Sequence, residues 1–392
     1  MESSDVSGIV ETILDAGGLQ TPLRISGRAH WMDAGRPSSA TRVISLADHT
    51  GVVDYVPGDL TITVRAGTTL AEIDRVTKAE GQWLPLMPHG TSDGTIGATI
   101  ATGSSGPLAH GFGRARDLVL GLEFVTGDGK VVRGGGRVVK NVAGFDLVRL
   151  LTGSWGTLGV ITEVSLRLYS LPSRPVTLAL NLPDGERGIA QRIGAILGGA
   201  VTPFAVEIID GAVAARSGLP SRTQVLVQLG GNAPAVNAQR DALAKLGGFH
   251  DVGGDVWGEL RTIELPRGDT NSSRIVMRLS GLPARVAEVW TNAQREIAGV
   301  DGAMMHATPS LGIVRCILPA DAPVTSIAAL AAAGSGVTCV YERLAPEMWK
   351  TLSPSVTSDR LSQGMRRAFD PMGILNSGIL GALNGIETAE VI

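Results

Sequence analysis

Residues 94–106 combine small residues and hydroxyl side chains in the order Gly-Thr-Ile-Gly-Ala-Thr-Ile-Ala-Thr-Gly-Ser-Ser-Gly, between two segments with strand-like patterns. Glycine tolerates left-handed dihedrals and close approach, so neighbouring backbone amides can converge on an anion. The hydroxyls of Thr95, Thr99, Ser104 and Ser105 add further donors. The stretch therefore predicts a backbone cradle for phosphate. A glycine-rich surface loop is the alternative, because the apolar residues within the stretch stand at spacings that suit burial.

The composition limits the classes of protein to which the chain can belong. With 392 residues, of which 44% are hydrophobic, the chain can bury the cores of two or three domains. No apolar run approaches the roughly 20 residues of a membrane helix. The opening Met-Glu-Ser-Ser-Asp lacks a secretory pattern, so we expect a soluble, cytoplasmic protein.

Cysteine count and charge exclude other classes. Two cysteines are too few for a cysteine-ligated iron–sulfur cluster or zinc site built by this chain alone. A net charge of −3 without a basic block argues against nucleic acid as a partner.

Hydrophobic periodicity predicts alternating strands and helices on both sides of residues 94–106. The turn Thr-Gly-Asp-Gly at 126–129 predicts a hairpin. A proline-rich break at 171–175 indicates a domain boundary. The predicted elements are helices at 1–20, 69–81 and 146–151, and strands at 22–30, 42–46, 60–65, 117–125, 130–133 and 159–168.

The middle of the chain repeats one pattern of strands and helices twice. Its second copy, residues 274–344, has the order β-α-β-β-α-β. That order is typical of an antiparallel sheet with helices on one face, of the ferredoxin-like kind. A further helix is predicted at 359–369.

Residues 140–163 begin Lys-Asn-Val-Ala-Gly-Phe-Asp and continue through Gly-Ser-Trp-Gly-Thr-Leu-Gly-Val-Ile-Thr-Glu. This run closely resembles the FAD-binding domain shared by vanillyl-alcohol oxidase, p-cresol methylhydroxylase (PCMH) and bacterial D-2-hydroxyacid dehydrogenases. Its first part is most similar to the FAD-binding E subunit of glycolate oxidase. The resemblance covers about the first 170 residues and about the last 25.

The resemblance implies an α+β fold in three segments. A PCMH-type FAD-binding domain, made of two α/β subdomains, would occupy residues 1–172. A ferredoxin-like α+β cap with an antiparallel sheet would occupy 173–350, and a C-terminal helical segment, 351–392, would return to the FAD domain.

In that family two loops of small residues hold the FAD pyrophosphate. Residues 26–30 match the first loop, 94–106 match the second, and 369–376 resemble the closing segment that contacts the flavin. A pyrophosphate held without a metal needs many short donors, which backbone amides supply. The residues expected to contact FAD are Ser26, Gly27, Arg28, Ala29, His30, Pro88, Gly94, Thr95, Ile96, Gly97, Thr99, Ala101, Gly103, Ser104, Gly106, Gly159, Ile161 and Asn376.

The first loop departs from the family pattern. A run of three glycines becomes Gly27-Arg28-Ala29. Arg28 could neutralise phosphate charge, but residues with a Cβ prefer negative φ. In the berberine-bridge branch a histidine at the position of His30 is bonded to the flavin. Two roles therefore stay open for His30: a covalent bond, or packing and local hydrogen bonding.

The cap lacks residues found in the catalytic hydroxyacid dehydrogenases. These relatives bind a divalent metal through two cap histidines and carry a Glu-His-Gly element. Here His306 is present, Ile313 occupies the second position, and no Glu-His pair occurs. We therefore expect no metal site, and His306 to be a remnant. His89 and His110 could face the flavin or bond within their loops. Arginines such as Arg274, Arg278 and Arg315 could enter the pocket.

These observations imply an FAD-binding subunit of a glycolate-oxidase-like complex. A larger sibling flavoprotein would oxidise the small 2-hydroxyacid, and an iron–sulfur subunit would carry electrons onward. Such a protein would be cytoplasmic, or peripheral at the inner face of the membrane through its partners. The alternatives are a stand-alone FAD-dependent oxidoreductase for a small alcohol or hydroxyacid, and a structural partner with a degenerate flavin fold.

Overall fold

The computed structural model describes residues 5–136, 145–265, 274–352 and 359–381. The motif segment Lys-Asn-Val-Ala-Gly at 140–144 lies outside these residues. Across the described ranges no helix is both long and apolar enough to cross a membrane. The chain forms two packed parts, one built by residues before 171 together with the C-terminal segment, and one built by the middle of the chain.

The first part centres on a five-stranded antiparallel sheet of order β3-β4-β8-β6-β7. A parallel pair, β1 and β2, and a short pair, β5 and β9, stand beside it. The strands are β1 (Leu23–Ser26), β2 (Arg42–Ser45), β3 (Val52–Val56), β4 (Thr61–Arg65), β5 (Gln82–Trp83), β6 (Val119–Val125), β7 (Val131–Gly135), β8 (Val160–Arg167) and β9 (Tyr169–Ser170). The helices are α1 (Val6–Gly18), α2 (Leu70–Ala79), α3 (Ile96–Thr102), α4 (Ala109–Phe112), α5 (Ala115–Leu118) and α6 (Leu147–Leu151).

The β6–β7 hairpin confirms the prediction from its turn, whereas residues 94–106 contain a helix that the sequence did not predict. Thr95 caps α3 by accepting the Ala98 N–H, and Gly103 ends it with a φ of 69°. Ile96 and Ile100 are fully buried on one face, which stabilises the helix against the sheet. The glycines that suggested a loop therefore flank and enter a short helix.

Two smaller predictions in this part were incomplete. The predicted strand at 117–125 begins as the helical turn α5, and strand pairing starts only at Val119. Strand β3 was missed because its side chains are half-buried or exposed, so its sequence carries no alternation.

The second part, the cap, is one eight-stranded antiparallel sheet of order β13-β10-β12-β11-β15-β16-β14-β17. Its strands are β10 (Val176–Asn181), β11 (Ala205–Ile209), β12 (Gln224–Leu229), β13 (His250–Val252), β14 (Ile275–Ser280), β15 (Met304–Thr308), β16 (Ile313–Leu318) and β17 (Thr338–Arg343). Its helices are α7 (Glu186–Leu197), α8 (Gly211–Arg216), α9 (Ala233–Ala244), α10 (Val256–Arg261), α11 (Val286–Ile297) and α12 (Val324–Ala331).

The cap sheet consists of two ferredoxin-like units joined edge to edge through β11 and β15. Each unit has the strand order 4-1-3-2, so the predicted ferredoxin-like cap is confirmed. Helices α7, α9, α11 and α12 cover one face of the sheet. The other face carries a smaller apolar cluster that reaches Trp83 and Phe112 of the first part. The sheet therefore presents its strands to the loops of the first part.

The C-terminal segment returns to the first part. Helix α13 (Pro346–Leu352) still packs on the cap through Trp349. After it comes α14 (Arg360–Phe369), and the chain then runs beside β1. The Leu23 N–H donates to the Ile374 carbonyl at 2.7 Å, and Ile374 and Leu375 lie in the core of the first part.

Candidate functional site

Three adjoining cavities lie along the edge of the first part and between it and the cap. Cavity A is enclosed by the end of β1, residues 26–32, α3 and residues 155–161. Cavity B lies between residues 102–116 and the strands β14, β16 and β17, and cavity C lies between residues 88–94 and the cap. Trp31 lines all three, so the cavities form one continuous cleft.

The structure brings all but one of the predicted FAD contacts to this cleft. The exception is Ile96, whose side chain is fully buried and whose N–H donates to the Thr68 carbonyl at 3.0 Å. Cavity A is lined by Ser26, Gly27, Arg28, Ala29, His30, Gly94, Thr95, Gly97, Ala101, Gly159, Ile161 and Asn376, cavity B by Gly103, Ser104 and Gly106, and cavity C by Pro88 and Thr99.

The first loop, residues 27–30, presents consecutive backbone amides to cavity A. Within the described ranges, none of these four N–H groups donates a hydrogen bond to the protein. The loop lies directly on the start of α3, because a Cβ at Gly27 would stand 2.3 Å from Thr95 Oγ1. Unpaired amides in such a narrow space are suited to bind an anion.

The second loop, residues 103–106, presents amides to cavity B. The N–H groups of 104–106 likewise find no acceptor in the described part of the chain. Gly106 has a φ of 71°, and a Cβ there would stand 1.8 Å from the Met87 carbonyl oxygen. The loop therefore depends on glycine for both its conformation and its close approach.

The predicted hydroxyl donors are largely committed to the protein itself. Thr99 Oγ1 donates to the Thr95 carbonyl at 2.9 Å, and Ser105 Oγ donates to the Gly103 carbonyl at 3.3 Å. Thr95 Oγ1 accepts the Ala98 N–H. Helix formation explains the difference, since threonine hydroxyls in helices bond to the preceding turn. Of these four hydroxyls, Ser104 has no such bond in the described part.

Asn376 connects three segments beneath cavity A. Its Oδ1 accepts the Ile25 N–H at 2.8 Å, and its Nδ2 donates to the Trp155 carbonyl at 2.6 Å. Asn376 and Trp155 both have positive φ, 44° and 55°. Asn376, for which the sequence predicts flavin contact, lines cavity A, and its side-chain amide also holds the wall of that cavity together.

Charged side chains of the cap meet the cleft in a buried network. Arg315 pairs with Glu264 and, at 2.7 Å, with Glu342, which also accepts a hydrogen bond from Arg278 at 2.8 Å. Burial alone would raise the pKa of Glu342, but Arg315 and then Arg278 outweigh it and lower that pKa to about 2. Arg278 and Arg315 therefore do enter cavity B, but carboxylates already neutralise them.

Arg343 links this network to the first loop. Its Nη2 donates to the His30 carbonyl at 2.8 Å, its Nε pairs with Asp33 at 3.1 Å, and its guanidinium lies 4.9 Å from the ring centroid of Trp31. A cation over an aromatic face is a favourable contact. The cap thus helps to position the loop that lines cavity A.

The histidines near the cleft are held by the protein. His306 Nδ1 lies 2.6 Å from Glu207 Oε1, and both side chains are buried. His89 lies beside it, with ring centroids 5.2 Å apart. Burial and then the charge of Arg315 hold the pKa of His89 well below its usual range. A neutral imidazole with so low a pKa is a weak general base.

His110 contacts the cap, and the strand pair β15–β16 includes the position where relatives bind a metal. His110 Nδ1 lies 2.8 Å from Ser310 Oγ on the cap, and burial lowers its pKa. Across the strand pair β15–β16, Ile313 stands opposite Thr308, whereas Arg315 stands opposite His306. Among the residues that the structure describes, no three histidine, cysteine or acidic side chains come together as a metal site.

Comparison with known proteins defines the family. Residues 3–135 match the family described as FAD binding domain. The chain is 35% identical over 260 residues to glycolate oxidase subunit GlcE of Escherichia coli (strain K12), an alignment that covers 66% of this chain and 69% of GlcE. The chain belongs to the glycolate oxidase FAD-binding (E) subunit family. Its cofactor is FAD, and its class is the FAD-dependent oxidoreductases.

More distant relatives place the E-subunit family in a larger fold group. Glycolate oxidase subunit GlcD of Bacillus subtilis (strain 168) is 30% identical over 211 residues, which span 52% of this chain but only 45% of GlcD. A crystal structure of p-cresol methylhydroxylase with substrate bound superimposes with a TM-score of 0.73 over 98% of this chain and 89% of that chain, at 17% identity. The predicted PCMH-type fold is confirmed.

The residues that line the cleft fit the negatively charged pyrophosphate of FAD. Two sets of unpaired backbone amides, at residues 27–30 and 104–106, line one cleft. A Cβ at Gly27 or Gly106 would fill the space between the facing segments. These loops would hold the pyrophosphate, and Arg28 is an exposed cation on the first loop. When bound, FAD supplies hydride and electron transfer.

His30 is exposed where cavities A and C meet. Its Nδ1 would lie 3.8 Å from a Cβ at Gly94, so the ring lies beside the residue that precedes the N-cap of α3. This position suits both roles left open by the sequence, a bond to the flavin and packing against it.

Among the site residues that were not predicted, Trp31, Trp155 and Arg24 shape cavity A. Trp31 and Trp155 meet edge to face with centroids 5.9 Å apart, and both line cavities A and B. Arg24 is buried under the first loop and donates to the carbonyls of Trp31 and Ala34. Trp155 stands within the recognised motif and could have been included. No local pattern marks Arg24 or Trp31.

The left-handed Ala29 leads to a stability prediction. Ala29 has a φ of 64° and an exposed side chain. A residue with a Cβ is strained by about 1–2 kcal/mol in this left-handed region, and glycine would relieve that strain. Part of the relief is offset because glycine has more conformational freedom in the unfolded chain. We expect Ala29→Gly to raise the free energy of unfolding by about 0.5–1 kcal/mol. Denaturant titration measures it, with Ala71→Gly in α2 as the control that should lose stability instead.

Proposed function

We propose that this chain is the FAD-binding subunit of a glycolate-oxidase-like complex in the cytoplasm. A larger sibling flavoprotein would oxidise glycolate or a related 2-hydroxyacid, and an iron–sulfur subunit would carry the electrons away. The main support for this proposal is the similarity to GlcE, because the alignment covers 69% of that subunit. The shorter coverage of GlcD, 45%, is consistent with a supporting subunit distinct from the sibling.

The side chains around the cleft support a role without independent turnover. Oxidation of a 2-hydroxyacid needs a base for the hydroxyl proton and a cation or metal for the carboxylate. His306 is bonded to Glu207, and the pKa of His89 is well below its usual range. Arg278 and Arg315 are paired with glutamates. The groups that a catalytic relative would use are therefore engaged in holding the cap.

One observation favours the second candidate, a stand-alone oxidoreductase for a small alcohol or hydroxyacid. Cavity B is enclosed between the second FAD loop and the cap strands, where a substrate could approach the cofactor. The two candidates differ in whether the isolated chain reduces its own flavin.

The test uses purified, full-length, FAD-loaded chain under anaerobic conditions. We expect a yellow protein whose flavin absorbance does not bleach with glycolate or D-lactate, whereas the same chain purified with its larger sibling bleaches. A colourless chain that takes up no FAD would contradict the cofactor role. Rapid bleaching of the isolated chain would favour the stand-alone enzyme.

A further inference from the structure

Cavity B contains more positive charge than its carboxylates neutralise. Four arginines line it, and Glu342 is the acidic side chain among its described lining residues. Arg315 forms ion pairs with both Glu264 and Glu342, and Glu342 also pairs with Arg278. Asp117 lies 3.7 Å from Arg116. The guanidinium of the fourth arginine, Arg114, forms no ion pair within the described ranges, and the nearby charge of Asp117 also acts on Arg116.

Arg114 is placed as an anion ligand would require. It is half-buried at the start of α5, and its own N–H is satisfied by Asp117 Oδ2 at 2.8 Å, which fixes its backbone. Burial and then the neighbouring Arg116 and Arg278 lower the pKa of its guanidinium, and the charge of Asp117 opposes them only in part. A half-desolvated cation among like charges is unfavourable until an anion joins it.

The same cavity offers space beside Arg114. The amides of residues 104–106, which are assigned to FAD, line the cavity as well. The cavity volume is about 230 Å³. Since one water molecule takes roughly 30 Å³ of liquid volume, a small organic anion fits there together with water.

We propose that cavity B binds a small carboxylate through the guanidinium of Arg114. The planar guanidinium fork matches a carboxylate in a two-point contact. Arg278 and Arg315 shape the cavity and remain paired with their glutamates. This inference rests on the proposed FAD-binding role, because cavity B adjoins the loops assigned to FAD.

The experiment compares glycolate with glycolamide, its uncharged amide, on the full-length FAD-loaded chain. Binding is followed anaerobically by calorimetry and by perturbation of the flavin spectrum. We expect glycolate to bind about tenfold or more tightly than glycolamide, because a charged hydrogen-bonded contact is lost in the amide. Arg114→Gln should weaken glycolate by about tenfold or more, and Arg114→Lys should weaken it less because the charge remains.

Arg116→Gln is the matched control, since Arg116 lines the same cavity but already pairs with Asp117. We expect it to change glycolate affinity by less than about threefold. Equal binding of glycolate and glycolamide by the unmodified chain would overturn the proposal even if the Arg114 variants failed to fold. Unchanged glycolate binding by Arg114→Gln would also overturn it.

Two further measurements test whether Arg114 binds FAD or phosphate instead of a carboxylate. If Arg114→Gln loses FAD, the guanidinium serves the cofactor and the proposal is wrong. If inorganic phosphate binds at cavity B and glycolate does not, the ligand class is wrong. Flavin bleaching by glycolate would contradict the supporting-subunit role, yet it would leave the carboxylate site standing, so the two proposals fail separately.

Discussion

Gly27→Ala will strip the chain of most of its FAD, although the change adds one methyl group. The new Cβ would stand 2.3 Å from Thr95 Oγ1, so the first loop must move away from α3. Overpacking of this kind costs about 1–3 kcal/mol. If that strain opens the amides of residues 27–30, FAD affinity should fall by about 10- to 100-fold, measured by fluorescence titration of the apoprotein with FAD.

A second substitution tests whether the steric contact is the cause. Thr95→Ala removes both Thr95 Oγ1 and Cγ2, which are the two nearest atoms to the new methyl group. It also removes the cap of α3, so on its own it should cost about 1 kcal/mol of stability. The double variant Gly27→Ala/Thr95→Ala should recover most of the FAD affinity. A double variant as weak as Gly27→Ala would show that the loops do not bind FAD through their close approach.

Local patterns predicted a hairpin, the ferredoxin-like order and the two small-residue loops, whereas the PCMH-type fold followed from the family resemblance. Glycine content, turn residues and hydrophobic periodicity act over a few residues, so the β6–β7 hairpin and the second ferredoxin-like unit could be identified. For the first unit the sequence predicts strands at 176–182, 205–209 and 224–229 and helices at 188–197 and 235–246. It does not predict the last strand, β13, which has only three residues. Local patterns gave the wrong prediction at α3, where the glycines suggested a loop. The segment is a helix because that conformation buries Ile96 and Ile100 on one face.

The cap side of the site could not be predicted, because its geometry depends on residues far apart in the chain. Arg315, Glu264 and Glu342 come from three separate segments and meet only when the cap sheet has formed. The sequence identified Ile313 as the residue at the position of the relatives' second metal-binding histidine. It did not indicate that Arg315 pairs with His306 across the strands, which the register shows. Such pairings follow from register and packing, which a single sequence does not specify.

The buried network around Arg315 leads to the largest expected effect on stability. Arg315→Met keeps much of the side-chain volume but removes the cation that the buried Glu264 and Glu342 share. Among the described residues, Glu264 then keeps only its 3.4 Å contact with Arg343, and Glu342 keeps only Arg278. Removing one partner of a buried ion pair typically costs about 3–5 kcal/mol. We expect that loss in the free energy of unfolding by denaturant titration. Arg240→Met is the control, because its pair with Asp251 is exposed and should cost about 0–1 kcal/mol.

The pH dependence of the Arg315→Met effect separates lost charge pairing from lost packing. The folded-state pKa of Glu342 is about 2, below its ordinary 4.5, so its ionised form stabilises the unmodified fold above pH 4.5. That contribution is lost as the pH falls from 4.5 through about 2. In the variant, burial is less opposed and the carboxyl pKa rises, so protonation relieves the buried charge at a higher pH. The stability difference between the two proteins should therefore be largest near pH 7 and shrink towards about pH 4. A difference that stays constant over this range would mean that lost packing of the Arg315 side chain, and not the charge network, causes the destabilisation.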